Sequence, residues 1–293
     1  MIGPLFRSPR RAPRRAPAVP GRARRLENLA THGFELVAAP FGFWRRKPLV
    51  VERAAFALDG LAAAFDGYRI AFLTDLHLSP LVPQWWIGRA VEMALGLEPD
   101  LILLGGDYLS HSARYAERLA PLLRPLAAPD GVYGVLGNHD HYVGADAVRR
   151  ALREAGVVEL LNRAVVLERG GAPLAVAGVG DLCFDVVDPG AALAEVGAAV
   201  PRIVLSHDPD VFAYWPAGVR GDLMLAGHTH GGQAHLPLIG PPYVPSQFGF
   251  RFLAGARRDG ARQLYVSRGI GAITAPVRWR CPAELTLVVL HPS

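Results

Sequence analysis

The chain has 293 residues, 51% hydrophobic and 19% charged, with a formal net charge of +5. That composition excludes a disordered or fibrous protein and suits one large globular domain, or one domain with an appendage. Two cysteines, Cys183 and Cys281, are too few for a disulfide framework and read as buried thiols. No stretch reaches the ~18 uninterrupted apolar residues of a spanning helix; the nearest, 29–44, is broken by His32, Glu35 and Pro40.

The positive charge gathers at the front. Residues 1–25 hold eight arginines and no acid, which suits an anionic lipid surface or, less well, nucleic acid. Lys47 is the only lysine of the chain, so compositional bias accounts for the arginines equally well. The paired arginines are followed by Pro, Ala and more Arg rather than an apolar run, so export is not expected. A cytoplasmic protein, peripheral at the inner membrane face, is. Residues 25–36 predict a short amphipathic helix that Pro40 ends. Residues 41–47 set aromatic beside basic side chains, as at a membrane interface or in an arm packed on the body. On this reading 1–48 form a basic tail and arm, and 49–293 form the domain.

From Leu49 the pattern settles. Val50 to Ala57 alternates as a first strand, and Tyr68 to Thr74 is a buried strand ending at Asp75. Residues 85–97 carry apolar side chains at helical spacing. Leu101 to Leu104 is a strand leading to Asp107, 115–126 is a helix, and Val132 to Leu136 is a strand leading to Asn138. Residues 145–155 form a helix closed by Gly156. Ala164 to Glu168 and Leu174 to Ala177 make a hairpin through Arg169-Gly170-Gly171, and 189–196 is helical. Strands follow at Ile203 to Leu205, Leu223 to Ala226, Gln263 to Ser267 and Leu285 to Leu290. The order predicts two packed sheets flanked by helices.

Polar residues cluster where these strands end: Asp75-Leu76-His77, Gly106-Asp107, Gly137-Asn138-His139-Asp140, Ser206-His207-Asp208 and Gly227-His228-Thr229-His230. Strand ends are where open α/β sheets build sites. Asp75 and His77 are two apart, as are His228 and His230, so in a still-extended chain each pair points one way. Two oxygens let Asp107 bridge two cations, Asn138 adds a neutral oxygen, and His207 adds an imidazole. The set is nitrogen and oxygen without sulfur, which suits two divalent transition-metal ions: manganese, iron or zinc. Two such ions bring four positive charges, and Asp75, Asp107 and a bridging hydroxide remove three. The positive remainder draws in an anionic ester. Paired ions make bound water reactive toward phosphorus. His139 then faces the phosphate or leaving oxygen, with Asp140 holding its ring.

In these blocks, in this order, the sequence resembles the calcineurin-like metallophosphoesterase family, and its bacterial YkuE/YaeI-like branch in particular. The resemblance covers the chain from about Leu49 to Leu290. It implies an α/β fold, a four-layer αββα sandwich of two mixed sheets. It also implies Asp75, His77, Asp107 and His230 on one metal, Asp107, Asn138, His207 and His228 on the other, and His139 as the catalytic histidine. The expected activity is a binuclear-metal phosphoesterase acting on phosphodiester or pyrophosphate bonds. A lipid-linked, UDP-2,3-diacylglucosamine-like substrate is expected, the alternative being a nuclease or nucleotide phosphodiesterase. A non-catalytic interaction module would have lost ligands, and none is missing. No obligate protein partner is expected.

Secondary candidates are Trp85 and Trp86 for a substrate groove, Tyr108, His141 and Tyr142 beside the ligand loops, and Arg278 and Arg280 for phosphate. The loop 236–252 would take an acyl chain or dip into lipid, or serve as scaffold. Asp181 and Asp185 stand apart, with no imidazole at a matching spacing.

Overall fold

Four-residue apolar runs such as Leu101–Leu104 are too short to be helices and too apolar for one exposed face, so they become strands covered on both sides. A computed structural model describes residues 30, 33, 36–38 and 48–293 apart from 276. The helix expected over 25–36 and the aromatic-basic stretch 41–47 lie outside the described residues, save 30, 33 and 36.

Strands β1 (Val50–Leu58), β2 (Tyr68–Leu73), β3 (Leu101–Leu104), β4 (Val132–Gly134) and β5 (Val158–Glu159) join the distant β12 (Glu284–Pro292) in one six-stranded sheet, ordered β1-β12-β2-β3-β4-β5. Pairing is parallel from β2 to β5, and β12 runs antiparallel to β2. The second sheet takes β6 (Arg163–Arg169), β7 (Ala172–Gly178), β8 (Arg202–Leu205), β9 (Leu223–Ala226), β10 (Gly255–Asp259) and β11 (Arg262–Val266), ordered β10-β11-β9-β8-β7-β6. Its β7, β8, β9 and β11 are parallel. The β6–β7 hairpin turns on Gly170 and Gly171, both at positive φ, as a two-residue turn of matching twist requires.

The alternation of β2 sorts the layers. Ile70 and Phe72 face the second sheet and pack with Val176, Leu205 and Leu225, while Ala71 and Leu73 face outward. Against that outer face lie α1 (Gln84–Leu95), α2 (Ala116–Leu123) and α4 (Ala145–Glu154); α3 (Asn138–Val143) caps the end of β4. The outer face of the second sheet is covered by α5 (Pro189–Leu193) and the turn Pro209–Phe212. The four layers are therefore helix, sheet, sheet, helix, and the fourth is thin.

Several boundaries differ from the pattern. The helix expected over 115–126 begins as a 3-10 turn, Ala113–Tyr115, and ends at Leu123. The strand expected to reach Leu136 stops at Gly134. β10 was not expected because Gly-Ala-Arg-Arg-Asp carries no apolar alternation; it forms as the exposed partner of β11.

Because Phe72 is fully buried between the sheets, Phe72→Ala should cost about 3–5 kcal/mol in urea unfolding. A loss below about 1 kcal/mol would mean that the two sheets do not pack through this residue.

Candidate metal centre

The carboxyl ends of parallel strands from both sheets open on one side, and their loops meet there. β2 delivers Asp75 and His77, β3 delivers Asp107, and β4 leads into α3 with Asn138 and His139. From the second sheet β8 delivers His207, and β9 delivers His228 and His230. Two groups form. Asp75, His77 and His230 make one, and Asp107, His207 and His228 the other; within each, the ligand atoms lie within 4.8 Å of one another. Asp107 links the two, with Oδ2 3.5 Å from His77 Nε2 and 3.3 Å from His207 Nε2. Asn138 Oδ1 lies 3.2 Å from His207 Nε2, and His228 Nδ1 lies 3.1 Å from the same nitrogen. In the first group the Nε2 atoms of His77 and His230 face each other at 3.0 Å.

The expectation of an extended chain at Asp75-Leu76-His77 does not hold. Both residues lie in the left-handed region, at φ 54° and 50°, and so do Asp107, His228 and His230. That region is unfavourable for side chains with a Cβ, and it persists only where the surroundings over-determine it. His228 and His230 do not point one way; they divide between the two groups. Glycines make room for this crowding. A Cβ on Gly137 would fall on the Asp107 carboxylate, and one on Gly227 on that of Asp75.

Hydrogen bonds hold the carboxylates in place. Asp75 accepts from His228 N at 3.1 Å and from Thr74 Oγ1 at 2.8 Å. Asp107 Oδ1 accepts from His139 N at 2.8 Å. His207 Nδ1 stands 2.8 Å from the Gly105 carbonyl, which orients its Nε2 inward.

Asp140 departs from its expected role. It does not hold the His139 ring; that ring's Nδ1 lies 3.0 Å from the carbonyl of Ser110. Asp140 is fully buried and accepts four backbone N–H groups, from Asp107, Tyr108, Leu109 and Gly137. At the third position of α3 it faces back toward the strand end, while His139, one residue earlier, faces outward. Asp140 is thus the tether of the Asp107 loop.

The electrostatics suit cation ligands. Burial, then the neighbouring His77 and Arg278, holds His230 well below the usual imidazole value. Burial likewise lowers His77 well below it, and burial with the charge of His207 lowers His228 to about 4. Burial raises Asp75 to about 6. Burial would raise Asp107 too, but His207, His139 and His77 together outweigh it and hold that carboxyl well below the usual range. His207 behaves in the opposite way to the other imidazoles: against burial, Asp107 raises it well above its usual value. The pocket therefore demands positive charge, from a proton on His207 or from a bound cation. Neutral imidazoles, carboxylates and one amide oxygen fit divalent transition metals.

The other candidates sort clearly. Trp86 is buried and donates to the Ile270 carbonyl; Trp85 is exposed and does not line the cleft. Tyr108 is buried, whereas Tyr142 lines the cleft, its ring edge-on to His139. Asp185 has an imidazole after all, since His141 Nε2 lies 3.1 Å away from it. Arg278 is buried behind His230, Nη2 3.3 Å from its Nδ1, and donates to the Gly271 carbonyl rather than reaching a phosphate. Arg280 is exposed. Cys281 is buried, but Cys183 is only half-buried and borders the cleft. Asp208, which the sequence clustered with His207 without a role, and Asp210, which it passed over, also border it; the polar run after His207 was the available signal.

Above the two groups opens a cleft of about 980 Å³. Asp107, Asn138, His139, His228 and His230 form its floor, and residues 242–247 and 273–275 its walls.

Two sheets ending in paired ligand clusters under a cleft define a metallophosphoesterase, and the chain belongs to the Calcineurin-like phosphoesterase family, matched over residues 68–232. It is 36% identical over 249 residues to "Phosphodiesterase YaeI" of Escherichia coli (strain K12), which covers 83% of this chain and 87% of that protein. It is 32% identical over 233 residues to the metallophosphoesterase YkuE of Bacillus subtilis (strain 168), covering 78% and 81%. It is 26% identical over 300 residues to "UDP-2,3-diacylglucosamine pyrophosphatase LpxG" of Chlamydia trachomatis, covering 82% and 88%. The chain is accordingly a phosphoric ester hydrolase of a divalent-metal family.

Asp140→Asn sets an amide N–H against backbone N–H donors. It should destabilise the fold by about 2–4 kcal/mol in urea unfolding. Unchanged stability would remove Asp140 from its tethering role.

Proposed function

We propose that the chain is a two-metal phosphodiesterase or pyrophosphatase acting on a lipid-linked substrate of the UDP-2,3-diacylglucosamine kind. One observation carries the two-metal part: the Asp107 carboxylate stands between two ring clusters, within 3.5 Å of an imidazole nitrogen of each. On this reading Asp75, His77, Asp107 and His230 hold one ion, and Asp107, Asn138, His207 and His228 the other. Manganese, iron or zinc bound there would supply reactive water and neutralise charge at phosphorus.

The chain's own residues do the rest. Asp107 spaces the two ligand groups, and Asp140 keeps the Asp107 loop in place from behind. His139 reaches into the cleft with its Nδ1 held by the Ser110 carbonyl, which leaves Nε2 toward the substrate. From there it meets a phosphoryl oxygen and passes a proton to the departing alcohol or phosphate.

Support for a diester or pyrophosphate comes from the relatives' names, phosphodiesterase for YaeI and pyrophosphatase for LpxG. Support for a lipid-linked substrate comes from the LpxG name and from cleft walls of Pro242, Val244, Pro245 and Ile273. The arginines of residues 1–25 favour an anionic membrane face. No helix among the described residues is long and apolar enough to cross a membrane.

The test is a substrate panel on metal-loaded protein: bis-p-nitrophenyl phosphate, a UDP-diacylglucosamine, dinucleotides and simple monoesters. Turnover should favour the diester and the lipid-linked pyrophosphate, vanish with chelator and return with manganese or zinc. Preference for dinucleotides would overturn the lipid assignment. Asp107→Asn should lower turnover by more than about a hundredfold with the fold intact by circular dichroism. Full turnover in that variant would remove Asp107 from the centre.

A further inference from the structure

Beside the cleft mouth the chain makes a feature that catalysis does not use. After His230 it leaves the site, runs against Trp279, and doubles back in a tight loop closed by two Leu236–Gly240 backbone bonds of 2.9 Å. At its tip Leu238 is fully exposed, Ile239 is 71% exposed, and Leu238 holds a left-handed φ of 65°. A leucine in that conformation costs free energy that glycine or asparagine would not. Nothing in the packing of the described residues asks for an apolar side chain there. Trp279 on the adjoining segment is 54% exposed, and Tyr243, which also lines the cleft, is 72% exposed. The apolar rim is therefore continuous with the cleft wall.

Charge narrows what the rim meets. Between Asp222 and Glu284 the chain has seven arginines and a single carboxylate, Asp259; of these arginines Arg278 is buried, Arg262 is paired with Asp259, and Arg268 is paired with Glu52 and Glu284. Arg280, exposed, follows Trp279 directly, and Arg251, exposed, follows the exposed Phe250. Exposed Leu and Ile at a tip, flanked by Trp and Tyr and by the exposed Arg280, match the layering of an anionic bilayer. Chains lie below, aromatic rings sit at the headgroups, and cations face the phosphates.

We propose that the rim of Leu236, Leu238, Ile239, Tyr243 and Trp279 inserts into the surface of an anionic lipid bilayer and brings the cleft mouth to the headgroups. This attachment is separate from the arginine-rich segment 1–25 and from the identity of the substrate. Leu238 and Ile239 enter the acyl region, Trp279 and Tyr243 lie at the interface, and Arg280 meets lipid phosphate.

The test uses the full chain with sedimenting vesicles of phosphatidylcholine alone or mixed with phosphatidylglycerol. Binding should require phosphatidylglycerol, and the double substitution Leu238→Ser/Ile239→Ser should weaken it by about tenfold or more. Hydrolysis of a soluble diester should stay unchanged, so that failure of the rim and failure of the catalytic reading separate. Brominated lipid should quench tryptophan fluorescence in the wild type, and Trp279→Phe should remove most of that quenching. Three results overturn the proposal. The wild type fails to sediment with anionic vesicles; the double variant binds as tightly as the wild type, so that residues 1–25 carry the attachment; or the chain forms a dimer without lipid that the double substitution dissolves.

Discussion

The structure turns on a concentration of buried negative charge where two sheets meet. Asp75, Asp107, Asp140 and Asp181 are all buried at the loops of this junction. Removing carboxylates from water costs several kcal/mol each unless positive charge and hydrogen-bond donors take the place of solvent. Backbone N–H groups do part of this work, and most of them come from neighbouring loops rather than the residue's own strand. His228 donates to Asp75, His139 donates to Asp107, and four amides converge on Asp140. One of these bonds, from His228 to Asp75, ties the second sheet to the first, while the others pin the first sheet's own loops together, so the charge is neutralised by the same bonds that shape the site.

Left-handed conformations at Asp75, His77, Asp107, His228 and His230 follow from that arrangement. A strand arriving at a sheet edge points its next side chains along the pleat, to alternate faces. To bring them to one point the chain must turn sharply within a residue, and where glycine would remove the polar side chain, the candidate ligand itself takes the strain. The neighbouring glycines accept a different constraint, close approach, because a Cβ at Gly137 or Gly227 would occupy the space of a carboxylate. Ligand and glycine thus divide the two demands of a crowded site.

This division explains what could be read from the residues and what could not. The apolar runs gave the strands and layers, because burial on both faces leaves a period that survives in sequence. The residues at the strand ends were visible as polar breaks after those runs. Their conformations were not, since Asp-x-His reads as extended by alternation and the turn is imposed by the opposite sheet. Asp140 was assigned to the His139 ring because the two are adjacent. Position on a short helix, not adjacency, decides its partners, and six residues carry too little periodicity to announce that helix. The pairing of Asp185 with His141 joins connecting segments of different sheets, the packing of Arg278 behind His230 joins two segments distant in sequence, and neither has a spacing to detect. The dispositions of β5 and β10 were lost for a simpler reason, brevity in one and charge in the other.

The floor and the walls of the cleft answer to different physics. The floor rests on strand ends, where a displaced backbone would break hydrogen bonds in both sheets at once. The walls rest on residues 242–247 and 273–275, which carry no strand of either sheet and are held mainly by isolated contacts, such as Gln233 with the Ile273 backbone. Prolines at 242 and 245 stiffen the first of these segments without committing it to a sheet. A change in wall shape therefore leaves the ligand geometry untouched, whereas a change at Gly137 or Asp140 does not. On the proposed reading, substrate choice belongs to the segments that follow His230, and bond cleavage to the strand ends before it.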